Sequence, residues 1–203
     1  MSVRTDVIND ALIELGQPTT TGPDDDSDPI VSAIVEIYNR TAKRVLGDYP
    51  WNFAMKVAQL AQLNDTLDGW TYTFAKPANC VRIVKVCSQA DMRRRPDIDF
   101  EDREGQVSTQ YAETWMAYVD GDFAGNDVGG WPETVKTALA LELAARVAPK
   151  TDMSRNEREL LLLRARSAMT EARRWDAQQN KVQKPGLSSW QRARLAGGSG
   201  RNG

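Results

Sequence analysis

The sequence predicts an α+β chain, mainly α: a helical bundle of about four helices with a small antiparallel β insert and an extended C-terminal arm. Three observations predict it. Apolar residues recur at spacings of three and four in four separate stretches. Between the second and the third of these the period falls to two, the spacing of a strand. Beyond Gln179 the chain becomes polar, basic and rich in glycine, a composition that cannot build a core of its own. The resulting division is residues 1–52 for the N-terminal helices, 53–130 for the β insert, 131–179 for the C-terminal helices and 180–203 for the arm.

The first helix rests on Val3, Val7, Ile8, Ala11, Leu12 and Leu15, which share one face, with Ser2 as N-cap and Gly16 as its stop. A polar loop follows, from Gln17 to Asp28. Its alternating Asp24, Asp26 and Asp28 invite a calcium-loop reading, but Pro29 stands where the turn glycine is needed and Val35 where the bidentate Glu belongs. Asp28 is better placed as an N-cap, with Pro29 at the first helical position. The second helix buries Ile30, Ile34, Ile37, Tyr38, Thr41, Val45 and Leu46, and Gly47 is expected to end it.

Asp48-Tyr-Pro-Trp-Asn-Phe-Ala54 is where the period changes. Pro50 cannot continue a helix and drives Tyr49 towards extended geometry. Trp51 and Phe53 then fall on one side of extended chain, as a structural plug between helices and sheet; stacking on a ligand is the alternative for such a pair. Within the insert, strands are expected over Val57 to Leu63, at Trp70, Tyr72 and Phe74, over Val81 to Cys87, over Gly105 to Ser108 and over Thr114 to Val119. Gln89 to Arg103 reads as a charged loop with a basic tip at Arg93–Arg95, and Gly121 to Gly130 as a glycine-rich turn. Pro132 opens a third helix with small residues throughout, and Pro149 breaks it. Ser154-x-x-Glu157 is a capping box for a fourth, with Leu160, Leu161, Leu163, Ala168, Met169, Ala172 and Trp175 as its expected buried positions.

At 203 residues, 41% of them hydrophobic, the chain can build one core. A net charge of −2 gives no global attraction to nucleic acid or anionic membrane. No apolar run approaches the roughly 20 residues that span a bilayer, and the acids of the first helix argue against a signal peptide. Cys80 and Cys87, seven apart in one strand, face opposite sides and cannot pair with each other there; a reducing compartment fits. The complete lack of histidine removes the commonest general base and the commonest metal ligand. No phosphate loop, nucleophile elbow or zinc spacing occurs. The 28 acids leave a carboxylate-dependent hydrolase as a formal alternative.

In the arm, Trp190 stands alone as an aromatic, with Lys184 before it and Arg192 and Arg194 after it. Trp and Arg dominate interface hot spots, so Lys184, Trp190, Arg192 and Arg194 are the candidate partner-binding residues. Fold-back onto the chain's own helices is the other reading.

Tyr49-Pro-Trp-Asn-Phe-Ala54 after a helix, followed by Phe74-Ala-Lys-Pro-Ala-Asn-Cys-Val-Arg-Ile83, resembles the head-to-tail adaptor proteins of tailed bacteriophages, including the tail tubular protein A group. Trp115 to Val119, Trp131-Pro132 and Leu139 to Val147 are similar to the later part of that family's pattern. Ala75-Lys76 and Asn79 depart from it, where an aromatic-Leu pair and Asp are usual. The resemblance covers about Asp6 to Asp176. It implies a homo-oligomeric ring, commonly of twelve subunits, beneath the portal protein in the neck of a virion made in a bacterial cytoplasm. The ring would seat a tail nozzle or other tail protein and let double-stranded DNA pass during genome ejection. It also implies no enzymatic activity, no cofactor and no membrane. A channel for sliding DNA is expected to be polar and not strongly basic, because each neutralised phosphate adds a salt-dependent hold. The alternative from a different class is a cytoplasmic helical binding or regulatory protein.

Overall fold

A computed structural model describes residues 3–22, 28–92, 96–124 and 128–179. It is a mainly helical α+β fold of four helices and two small antiparallel sheets. The arm residues Lys184, Trp190, Arg192 and Arg194 lie outside the described residues, as do Ser2, Asp24 to Asp26 and Arg93–Arg95.

Helix α1 spans Val3–Glu14 and buries Val7, Ile8, Ala11 and Leu12. Gly16 follows it with φ +66, the left-handed conformation that ends helices. Helix α2 spans Pro29–Asp48, and the Asp28 carboxylate accepts from the Ile30 N–H at its start. Gly47 does not end α2 but lies inside it. Tyr49 leaves the helix in extended geometry, φ −147 and ψ 147, because Pro50 forbids helical geometry in the residue before it. Trp51 and Phe53 do not lie on a strand either: Asn52–Ala54 is a single 3-10 turn, and the first strand begins at Met55.

The insert is two sheets rather than one. Strands β1 (Met55–Gln59), β7 (Trp115–Asp120) and β4 (Cys80–Cys87) form the first, in the order β1-β7-β4. Strands β2 (Ala61–Gln62), β3 (Tyr72–Ala75), β6 (Gln106–Thr109) and β5 (Phe100–Arg103) form the second, in the order β2-β3-β6-β5. The chain crosses from one sheet to the other at Leu60, whose N–H donates to Thr114 O at 2.9 Å. Leu60, Phe74, Val86, Val107, Met116 and Tyr118 fill the space between the sheets.

Strand β5 lies where only a charged loop was expected. It is an edge strand with mostly exposed side chains, so its Glu, Asp and Arg face water and hide the apolar alternation that marks a strand. Glu104 and Gly105, at φ 44 and φ 83, join it to β6, a two-residue connection with both residues at positive φ, as primed hairpin turns require. The two cysteines are free. Two one-residue register shifts in β4 cancel and leave the two on opposite faces: Cys80 joins the layer between the sheets, and Cys87 lies in a cluster with Met92 and Ala117 on the other face.

Strand β7 is central and buried for nearly its whole length. Met116 and Tyr118 point to the second sheet, while Val119 joins the helical core. That core centres on α3 (Glu133–Val147), which packs against α1, α2 and α4 (Arg155–Gln179). Small residues let the neighbours approach closely on several sides, so Val135, Ala138, Leu139, Ala140, Leu143, Ala144 and Val147 are all buried. The capping box of α4 is formed: Ser154 N donates to Glu157 Oε2 at 2.7 Å, and Glu157 N donates to Ser154 Oγ at 3.3 Å. The face of α4 differs from expectation. Only Leu161, Ala165, Ala172 and Asp176 are buried; Leu160, Leu163 and Trp175 are 59%, 60% and 37% exposed. The helix lies on α3 along one narrow stripe, and its surplus leucines point away.

Candidate assembly surfaces

The change from helix to sheet is built on a ladder of rings. Tyr49 meets Trp51 edge-on at 4.9 Å between centroids, Trp51 meets Phe53 at 5.8 Å, and Phe53 meets Trp131 at 5.7 Å. These separations are the favourable range for aromatic pairs. Trp51 is completely buried, and its Nε1–H donates to Val45 O at 2.8 Å in the last turn of α2. That bond satisfies the one polar atom of the ring and occupies a helix-end carbonyl. Phe53 is partly buried against the same core. The ladder therefore ties the end of α2 to Trp131, just before α3, and leaves no ring face open for a ligand at Trp51.

Asn52, between the two aromatics, ties the joint to α4. Its backbone N–H donates to both Asp176 oxygens at 3.1 Å, and its Nδ2 donates to Asp176 Oδ2 at 2.9 Å and Asp176 O at 2.8 Å. Asp176 is buried. Desolvation pushes its carboxyl above the usual value of 3.8, and the bonds from Asn52 oppose that rise. Sequence reasoning gave Asn52 and Asp176 no role. The only available signal was an acid at a position of α4 in step with Leu161, Ala165 and Ala172, where a solvated face would not put one.

A second polar knot lies at the end of β7. Asp120 is fully buried and pairs with Lys56 of β1. Asn79 Nδ2 donates to Asp120 Oδ1 at 2.6 Å and to Asp122 Oδ2 at 2.8 Å, and Asp122 N donates to Asp120 Oδ1 at 3.0 Å. Gly121 is required between the two acids. A Cβ there would lie 2.8 Å from Val81 Cγ1 and 2.9 Å from Asn79 O. The knot fastens the turn before β4 to the ends of β1 and β7.

Among the described residues no group of three or more His, Cys, Asp or Glu is placed to hold a metal ion, and no helix is long and apolar enough to cross a membrane. One groove of about 410 Å³ between α2, α3 and α4 is lined by Arg44, Asp48, Glu142, Arg166 and Arg173 among others. There Arg44 pairs with Glu142 and, at 3.6 Å, with Asp48, while Arg146 pairs with Glu142 at 3.0 Å. These pairs neutralise one another and stitch α2 to α3.

What stands out against this internal pairing is the outer side of α1 and α4. Ile13, Leu160 and Leu163 are the most exposed large apolar side chains among the described residues, at 62%, 59% and 60%. An ion pair, Arg164 Nη1 to Glu14 Oε2 at 2.7 Å, spans the two helices beside them. Comparison with protein-family models gave no match, and comparison with curated proteins gave none.

Proposed function

We propose that the chain is a structural head-to-tail adaptor of a tailed-phage virion, forming a ring beneath the portal that lines the DNA channel and seats the tail. The observation that carries this reading is the order-preserving resemblance of Tyr49–Ala54, Phe74–Ile83, Trp115–Val119 and Trp131–Val147 to that family. Two features support it. The Pro-Trp-Asn-Phe stretch is the joint from which bundle and sheets are both hung, a role that accounts for a motif with no catalytic chemistry. The three most exposed large apolar side chains among the described residues, Ile13, Leu160 and Leu163, lie on helices of the bundle, where subunits of a ring would meet, since exposed apolar surface marks interaction sites. In this reading the basic arm reaches the portal ring or the next subunit, and several arms acting together turn modest single contacts into avidity.

Mass photometry of the purified chain, alone and with the portal protein of the same virus, tests the proposal. Closed rings, free or on the portal, are the expected species. A chain that stays monomeric at micromolar concentration and ignores the portal overturns it.

A further inference from the structure

In the groove between α2, α3 and α4 the acids are already taken: Glu142 by Arg44 and Arg146, and Asp48 by Arg44. Arg166 and Arg173 line the same groove, and neither has an ion-pair partner among the described residues. Arg173 Nε is also buried without a hydrogen-bond partner. The two residues are seven apart, close to two helical turns, so they stand on one side of α4. Leu162, which is exposed, and Met169, which is half-buried, line the groove with them. The groove thus offers two unmatched guanidiniums beside apolar side chains.

Helix α1 shows the opposite charge. Asp6, Asp10 and Ile13 are exposed and recur at four and three, so they share one face of the helix. Nearby bases are already taken: Arg164 pairs with Glu14 at 2.7 Å, and Lys136 with Glu133 at 2.8 Å. Asp6 and Asp10 have no ion-pair partner among the described residues. Desolvation, and then the charges of Asp6, Glu133 and Glu14, push the Asp10 carboxyl above its usual value. This face therefore carries acidic charge that its own subunit does not relieve.

We propose that the α1 face of Asp6, Asp10 and Ile13 docks into the Arg166–Arg173 groove of a second copy, with the carboxylates on the guanidiniums and Ile13 against Leu162 and Met169. This rests on the adaptor reading above and names the subunit contact within it. The two faces cannot meet inside one subunit. Arg164 and Arg166 are two apart on α4 and point to nearly opposite sides, about 200° round the helix. Arg164 reaches the subunit's own α1, and Arg166 lines the groove on the other side. Val7, Ile8, Ala11 and Leu12 hold α1 in its own core, so it does not swing round to the groove. The lengths agree: Asp6 to Ile13 covers about 10.5 Å of helix, and Leu162 to Arg173 about 16.5 Å. Opposite charge steers the two faces together and sets their register. Because the acidic face and the groove lie on opposite sides of α4, the contact is heterologous, and it repeats head to tail until the rotation closes a ring.

The test reverses charge on the full chain and reads assembly by mass photometry, alone and on the portal protein. Asp6→Lys with Asp10→Lys, and separately Arg166→Glu with Arg173→Glu, should each weaken self-association at least tenfold. Mixing these two variants in equal parts should restore it, and so should one chain carrying all four substitutions, because every contact then joins opposite charges again. Arg173 is half-buried, so Arg166→Glu alone, at an exposed position, repeats the groove arm should circular dichroism show the double variant misfolded. Association should also weaken as salt rises, through screening. Folded variants that assemble like wild type overturn the proposal, and so does a loss that mixing fails to repair. Rings that survive both reversals sink the inference and leave the adaptor reading standing. Association that is lost and rescued as expected, but in open chains that ignore the portal, does the reverse. A wild-type chain that stays single with and without the portal overturns both.

Discussion

Helices α3 and α4 are neighbours, antiparallel across a short Pro-containing turn, and they differ in kind. Helix α3 has 15 residues, and nine are buried. Helix α4 has 25, and four are buried, one of them an aspartate. Both contain apolar residues at helical spacing, and α4 has the run of leucines from Leu160 to Leu163. The difference is the number of sides covered. Three helices pack on α3, so every apolar position finds a partner. Helix α4 has its main contact with α3 alone, and its other leucines are left over. Apolar content therefore fixes how much surface a helix could bury, and neighbours fix how much it does bury. The surplus on α4 is what a binding partner would cover.

Substitutions at three positions probe this contrast, and the largest effect is expected where the interior is fully covered. Trp51→Ala removes the centre of the aromatic ladder, opens a cavity against α2 and exposes the Val45 carbonyl's lost bond. It should cost about 3–5 kcal/mol in urea unfolding. An unchanged midpoint would show that the ladder is not the joint between bundle and sheets.

Next comes Asp176, the one polar anchor of α4's buried stripe. Asp176→Ala leaves the Asn52 N–H without its acceptor in a buried place and takes one of two from its side-chain amide, at a cost of about 1–3 kcal/mol. Asp176→Asn keeps an acceptor and removes the charge, and the pH profile separates the two effects. The folded carboxyl titrates above its unfolded value of 3.8, so the folded state binds the proton more tightly. The stability from protonated Asp176 is full below the unfolded value and is lost as pH rises through the folded one. Wild type should thus lose stability relative to Asp176→Asn as pH rises from about 4, then run parallel to it. Parallel curves from the lowest pH upward would mean that burial does not perturb this carboxyl.

The smallest effect belongs to the outer face. Leu163→Ala should change the stability of the isolated subunit by less than about 0.5 kcal/mol, as surface substitutions do. A loss of 2 kcal/mol or more would show that Leu163 is buried within a single subunit and that α4 has no surplus face.

Much of this architecture was legible in the amino-acid order, because it depends on local chemistry. Asp28-Pro29 starts α2 since a carboxylate and a ring with fixed φ suit a helix N-terminus. Ser154 and Glu157 start α4 by reciprocal capping. Pro50 ends α2 through the conformation it forbids to Tyr49, and that local force made Gly47 unnecessary as a stop. Period two marked β3, β4, β6 and β7. Strand β5 was hidden because an edge strand exposes both sides and can carry charge throughout.

Tertiary structure alone decided the rest. The division of the insert into two sheets depends on the crossing at Leu60 and on which strands meet across 20 or more residues. The Asn52–Asp176 clamp joins groups 124 positions apart. The outward turn of Leu160 and Leu163 follows from where α1, α2 and α3 happen to stand. Periodicity gives a helix a face; only its neighbours say whether that face is covered, and here an apolar part of it stays exposed.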